Sequence, residues 1–241
     1  MPHTLFISDL HLSPDTPKAI DTLRRFLRET APAAESLYVL GDLFEYWIGD
    51  EGLAQPFAQE LAQAFRALGE GGTRVYFMHG NRDFLIGERF ALASGMRLLA
   101  DPTVVDLYGT RTVLMHGDTL CSDDHEYQEF RALVRNPAWQ QAFLAKPLDE
   151  RTRMAREARG RSEQSKQVKD MTIMDVTPAT VDSAFRAHHS ARLIHGHTHR
   201  PAHHEHKVDG RDCERGVLAD WYEHGSCLLC DANGCRAQAL D

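Results

Sequence analysis

The chain has 241 residues with 42% hydrophobic and 26% charged content, enough to bury one large domain, or a domain carrying an insertion, without staples. A formal net charge of −8 argues against a general nucleic-acid coat. No apolar run approaches the roughly 18 residues needed to span a bilayer, and the N-terminus has no signal-peptide pattern, so a cytosolic protein is expected.

Thr4 to Leu12 opens as an apolar strand whose end carries Asp9 and His11, a chelating pair that shares one face if the chain stays extended. Apolar residues at Ala19, Ile20, Leu23, Phe26 and Leu27 then predict a helix over Pro17–Thr30, begun by its proline. Leu37–Phe44 is a second buried strand, ending in Gly41-Asp42. A lone Gly-Asp there is most often only a strand-to-loop turn. A carboxylate has two oxygens, however, and can bridge divalent cations roughly 3.5–4 Å apart, which a neutral imidazole cannot. The polar strand tips that recur along the chain favour Asp42 as such a bridge.

A helical stripe over Leu53–Leu68 closes at Gly69 and Gly71-Gly72, and the strand Arg74–Met78 runs into His79-Gly80-Asn81-Arg82-Asp83. The order strand, helix, strand is a βαβ start. In open α/β sheets the ends of parallel strands line one crevice, so Asp9, His11, Asp42 and Asn81 are expected to converge. A short helix over Ile86–Ser94 precedes strands over Met96–Leu107 and Arg111–Met115, the latter ending in His116-Gly117-Asp118.

From Asp123 to Lys169 the pattern is helical. Phe130, Leu133, Val134, Trp139, Phe143 and Leu144 are apolar, and Arg151, Arg153, Arg156, Arg159, Arg161, Lys166 and Lys169 form a basic run. Two readings fit: a solvated helical hairpin packed on the core, or a cap suited to a ligand with acyl chains and phosphates. Thr177 and Pro178 have the chemistry of an N-cap and first helical residue. A strand over Ala191–Ile194 then enters His195-Gly196-His197-Thr198-His199, where His197 and His199 repeat the chelating spacing and His195 is expected behind them. The last forty residues read as antiparallel and structural, with His203, His204 and His206 as solvated loop histidines. The five cysteines, Cys121, Cys213, Cys227, Cys230 and Cys235, are expected to be free thiols in a reducing compartment, because strand alternation would turn Cys227 and Cys230 to opposite faces.

Taken together, Asp9-x-His11, Gly41-Asp42, Gly80-Asn81-Arg82-Asp83, His116 and Gly196-His197-Thr198-His199 resemble the calcineurin-like metallophosphoesterases. The resemblance implies an α/β (α+β) fold, a four-layer αββα sandwich formed by residues 1–121 and 172–241 with a helical insertion, a lipid-binding cap, at 122–171. It implies two metal ions, one on Asp9, His11, Asp42 and His199, the other on Asp42, Asn81, His116 and His197. Mixed carboxylate, amide and imidazole donors independently suit Mn²⁺ or a similar borderline ion. Protein phosphatases of that family carry histidine where this chain has Arg82. Arginine cannot give up its proton but grips phosphate oxygens in a fixed fork, so the leaving group is expected to be one that needs no proton, such as a phosphate monoester with a second pKa near 6.

Phe6–His11, Gly41–Glu45, Trp47–Asp50, His79–Phe84, Met115–Cys121, Ile173–Val176 and Ile194–Pro201 resemble more closely the UDP-2,3-diacylglucosamine hydrolase family of lipid A synthesis. That resemblance implies hydrolysis of the pyrophosphate of UDP-diacylglucosamine to UMP and 2,3-diacylglucosamine 1-phosphate at the cytoplasmic face of the inner membrane, with no nucleic-acid partner. It puts catalysis on Asp42, Asn81, Arg82 and His116, and substrate contacts on Asn81, Arg82, Asp124, Ser162, Lys166, Lys169 and His197. The chain departs from the family at Lys166, where a neutral polar residue is usual. Two other readings stay open: a different dinuclear metallophosphoesterase, such as a nuclease or nucleotide phosphodiesterase, and a metal-free scaffold, which would be expected to have lost ligands.

Overall fold

A computed structural model describes residues 1–168 and 173–240, with backbone alone for 161 and 163–168. Four short strands, β1 (Thr4–Ile7), β2 (Ser36–Val39), β3 (Arg74–Met78) and β4 (Arg97–Leu99), lie parallel to one another, and β10 (Gly225–Asp231) and β11 (Gly234–Leu240) extend that sheet antiparallel beyond β1. A second sheet has the order β5 (Thr103–Leu107), β6 (Thr110–Leu114), β7 (Arg192–His195), β9 (Arg211–Val217), β8 (Ala202–Val208).

The near-continuous apolar runs of the first sheet follow from its being covered on both faces. Leu5, Ile7, Leu37, Val39, Val75 and Phe77 pack towards α1 (Pro17–Arg25), α2 (Pro56–Glu70) and α3 (Glu88–Ser94). The alternate residues Phe6, Tyr38, Leu40 and Met78 meet Leu107, Leu114 and Ile194 of the second sheet. Beyond the second sheet, Val113 and Leu193 pack on Val181 and Phe185 of α7 (Pro178–His188). The layers are therefore helices, sheet, sheet and helix. Between β6 and β7 stand α4 (His125–Val134), α5 (Pro137–Leu144) and α6 (Leu148–Val168). Among the described residues no helix is long and apolar enough to cross a membrane.

Several expectations need correction. Met96–Leu107 is two strands: β4 closes the first sheet, and Pro102, which has no N–H for a ladder, separates it from β5 in the second. The predicted helix at Leu53 starts at Pro56, because Asp50–Ala54 forms a 3₁₀ turn. The C-terminal part is not wholly antiparallel, since β9 runs parallel to β7. His203, His204 and His206 belong to β8, where His203 meets Glu214 at 2.9 Å. Cys230 and Cys235 are not free: they face each other across the β10–β11 hairpin and form a disulfide. Cys121, Cys213 and Cys227 are buried free thiols. Thr177 stands at the α7 N-cap, but its hydroxyl makes no capping bond.

Candidate metal centre

Each predicted ligand leaves the tip of a central strand, and five of the seven do so with a left-handed backbone: Asp9 (φ 55°), His11 (49°), Asp42 (53°), His197 (68°) and His199 (54°). Convergence of Asp9 with His11 is therefore a product of the turning chain rather than of extended alternation. Such backbones are unfavourable for residues with a Cβ and persist where surrounding structure fixes them. Here close loop contacts do so. A Cβ on Gly80 would stand 2.1 Å from Asp42 Oδ1, and one on Gly196 would stand 2.2 Å from Asp9 Oδ2, so the motif glycines let the ligand loops touch.

The donors form two nests. In one, His11 Nε2 and His199 Nε2 are 3.2 Å apart, Asp9 Oδ1 is 3.4 Å from His199 Nε2, and Asp42 Oδ2 is 3.9 Å from His11 Nε2. In the other, Asn81 Oδ1 lies 3.0 Å from His116 Nε2 and 2.9 Å from His197 Nδ1, with Asp42 Oδ1 3.8 Å from His116 Nε2. The two oxygens of Asp42 are thus divided between the nests. Cis donors around an octahedral ion held at about 2.1 Å stand roughly 3 Å apart, close to the shortest of these spacings.

Orphaned atoms test whether these residues fit cations. Asp9 Oδ1 is buried with no hydrogen-bond partner, while its Oδ2 accepts from Ser8 Oγ at 2.6 Å and the His197 amide at 2.8 Å. His116 Nδ1 donates to the Leu40 carbonyl at 2.8 Å, which leaves its Nε2 directed at the Asn81 side-chain amide and at Asp42. An enclosed carboxylate oxygen with no donor, beside two imidazole nitrogens 3.2 Å apart, suits a bound cation. Charge distribution agrees. Burial disfavours the charged form of His116, yet the carboxylates of Asp42, Asp118 and Asp9 outweigh it and raise its pKa to about 9. His197 is pushed down to about 4 by burial and by His116. The donor set fits divalent ions.

Behind the donors sit groups that the sequence reading did not assign. Glu45 Oε2 stands 3.4 Å from His11 Nδ1 and Asp220 Oδ2 3.7 Å from His199 Nδ1, as carboxylates behind metal-binding imidazoles do. Asp83, fully buried, accepts from the backbone amides of Asp42, Leu43, Phe44 and Gly80 and so ties the second and third strand tips together. Tyr222 stacks on the His11 ring at 5.1 Å. Glu45 and Asp83 could be found as polar neighbours inside the quoted motifs; Asp220 and Tyr222 carry no local signal. His195 does stand behind the ligands: its Nδ1 donates to the Gly196 carbonyl at 2.8 Å and its Nε2 faces Arg215 at 3.0 Å.

The centre opens into a cavity of about 780 Å³. Asn81, Arg82, Asp124, Ser162 and His197 all line it, together with Trp47, Phe84, Phe130, Trp139 and Phe143. Arg82 Nε lies 3.9 Å from Asp42 Oδ2. Asp124 also caps α4 by accepting from the Tyr127 amide. The side chain of Lys166 and the whole of Lys169 lie outside the described residues. Leu133 and Leu144, expected to shelter acyl chains, are exposed and do not line the cavity.

Nor is the basic run a free cationic face. Arg151 is 3% exposed and donates to the Ile48 carbonyl at 2.6 Å, Arg159 pairs with Glu45, and Arg153 pairs with Glu157 along α6. Arginine is long enough to clasp α6 onto the core, and Arg135, just past α4, does the same by donating to the Gly80 carbonyl at 2.8 Å.

The calcineurin-like phosphoesterase family model matches residues 2–201. UDP-2,3-diacylglucosamine hydrolase of Stenotrophomonas maltophilia (strain K279a) is 50% identical over 98% of both chains. That of Aeromonas salmonicida (strain A449) is 52% identical over 94% of this chain and 89% of the relative. A solved archaeal phosphodiesterase aligns over 99% of both chains at 13% identity with a TM-score of 0.47, a likeness too loose to bear on the site.

Proposed function

Because the chain belongs to the calcineurin-like phosphoesterases and, among them, to the UDP-2,3-diacylglucosamine hydrolases, we propose that it hydrolyses the pyrophosphate of UDP-2,3-diacylglucosamine, releasing UMP and 2,3-diacylglucosamine 1-phosphate. The division of the Asp42 oxygens between two donor nests at the mouth of a large, partly apolar cavity carries this reading.

Asp9, His11, Asp42 and His199 would hold one ion and Asp42, Asn81, His116 and His197 the other, the mixed donors suiting Mn²⁺ or a similar borderline ion. When bound, the ions neutralise phosphate charge and acidify water for attack on phosphorus. The remaining roles fall to this chain's side chains. Arg82 reaches phosphate oxygens with a fork that stays charged and stabilises the charge that develops as the P–O bond breaks. The departing phosphate monoester needs no proton from it. Asn81 would orient the phosphate, and Asp124 and Ser162, which line the same cavity, would contact the substrate.

The acyl chains would lie along Trp47, Phe84, Phe130, Trp139 and Phe143. Residues 122–171 then act as a cap on a core of 1–121 and 172–241. The exposed apolar residues of the cap, Phe130, Leu133, Leu144 and Leu148, support docking on the cytoplasmic face of the inner membrane, where the substrate resides. No nucleic acid takes part in this reading. The test is release of UMP from UDP-2,3-diacylglucosamine with Mn²⁺. Release that chelator abolishes is expected; cleavage of DNA or cyclic nucleotides in place of the lipid would overturn the proposal.

A further inference from the structure

A second cavity, of about 230 Å³, shares Thr198 and Arg200 with the larger one and is bounded by Ala202 and His204 on β8 and Arg215 on β9. Arg215 is 7% exposed. Its Nη1 donates to His195 Nε2 at 3.0 Å and its Nε to His206 Nε2 at 3.4 Å. No carboxylate lies within 4.0 Å of it among the described residues. Its Nη2 has no protein acceptor among them, and the residue lines the cavity.

A buried guanidinium without a counter-charge is costly. Orienting His195 requires one N–H, not a whole guanidinium. The cavity's carboxylate, Asp175, is engaged by Arg200 and by the Val176 amide at 2.7 Å. Asp175 also attracts Arg215, but from beyond ion-pair distance and while engaged by Arg200, so Arg215 has no carboxylate of its own among the described residues. Thr198 and Arg200 form the wall that this cavity shares with the larger one. An unmet cationic donor adjoins a space of about 230 Å³, larger than a tetrahedral oxyanion.

We propose that this cavity is a subsite for a phosphate-class oxyanion, held by Arg215 beside the metal centre. The planar fork of arginine suits two oxygens of one phosphate. This proposal goes beyond the hydrolysis reading and depends on none of its steps.

Isothermal titration of inorganic phosphate into the metal-loaded protein at fixed ionic strength tests it. Two classes of site are expected, one at the metals and one here. Arg215→Met should weaken the second class at least tenfold while metal content and the first class persist. Should that variant not fold, Ala202→Glu at the exposed rim places a carboxylate in the cavity mouth and should abolish the same class. UMP that competes for this class would identify its occupant as a nucleoside monophosphate; failure to compete would identify free phosphate. A single class in the parent, or two classes that both survive in Ala202→Glu, overturns the proposal.

Discussion

Replacing Asp83 by alanine probes how the two ligand-bearing loops are held together. Its carboxylate accepts from Leu43 N at 2.7 Å and Gly80 N at 2.9 Å, with longer contacts to Asp42 N at 3.3 Å and Phe44 N at 3.4 Å. Burial and the nearby Asp42 raise the Asp83 pKa to about 7, so the carboxylate itself is no net gift to stability. Truncation is another matter, because it strands buried amide donors. Bonds to a charged acceptor are worth about 1.5–3 kcal/mol each, and only the two short ones count fully. Asp83→Ala should therefore cost about 3–5 kcal/mol, in the range found when one partner of a buried charged cluster is removed. Asp83→Asn should cost about half, because its carbonyl can still accept from Leu43 while its NH₂ faces the Gly80 donor. Urea unfolding in the presence of chelator isolates this effect from metal binding. With Mn²⁺ restored, the unpinned Asp42 loop should lower kcat more than tenfold. An Asp83→Ala protein within 1 kcal/mol of the parent that keeps kcat and metal content would refute the clasp.

Asp42→Ala should abolish turnover and reduce bound metal, since one carboxylate serves both nests; two retained ions with substantial activity would contradict the bridge. Arg82→Ala should keep its metal but lose about 2–4 kcal/mol of transition-state stabilisation in kcat/KM, and undiminished pyrophosphate cleavage by Arg82→His would remove the leaving-group argument. For Asp101, burial and then Asp118 raise the pKa to about 6, and neither carboxylate oxygen has a partner. A folded-state pKa above the unfolded value means the contribution is fully present below the unfolded pKa and lost as pH rises through the folded one, here between about 4 and 6, and it amounts to about 3 kcal/mol. Urea midpoints of the chelator-treated protein should therefore fall across that window, and Asp101→Asn should flatten the fall; parallel curves would count against it. For membrane docking, Arg153 and Arg156 are the exposed cations of α6 among the described residues, so reversing both should reduce co-sedimentation with anionic vesicles at low salt, and equal binding by parent and variant would defeat that reading.

The sequence disclosed the chemistry at strand tips and little of what stands behind it. Asp9, His11, Asp42, Asn81, His116, His197 and His199 were legible because each follows an apolar strand within a few residues, and a sheet gathers its strand ends. Glu45 and Asp220 support His11 and His199, but a supporting carboxylate needs only to arrive from somewhere in space. Periodicity located the helices of the cap, yet could not distinguish Arg151 from Arg156. One reaches under the helix to the Ile48 carbonyl and the other faces water, and charge alone has no direction. The same limit governs the C-terminal hairpins. Alternation correctly turned Cys227 and Cys230 apart, but the partner of Cys230 was set by the register of the hairpin, which brings Cys235 opposite it. Arg215 shows the same limit at its furthest: in sequence it is one charged residue on a strand that alternates in burial. Only the packing of β9 against the His195 turn makes it a buried cation with no carboxylate within ion-pair distance among the described residues, so its position becomes chemically meaningful through tertiary contacts that no local pattern encodes.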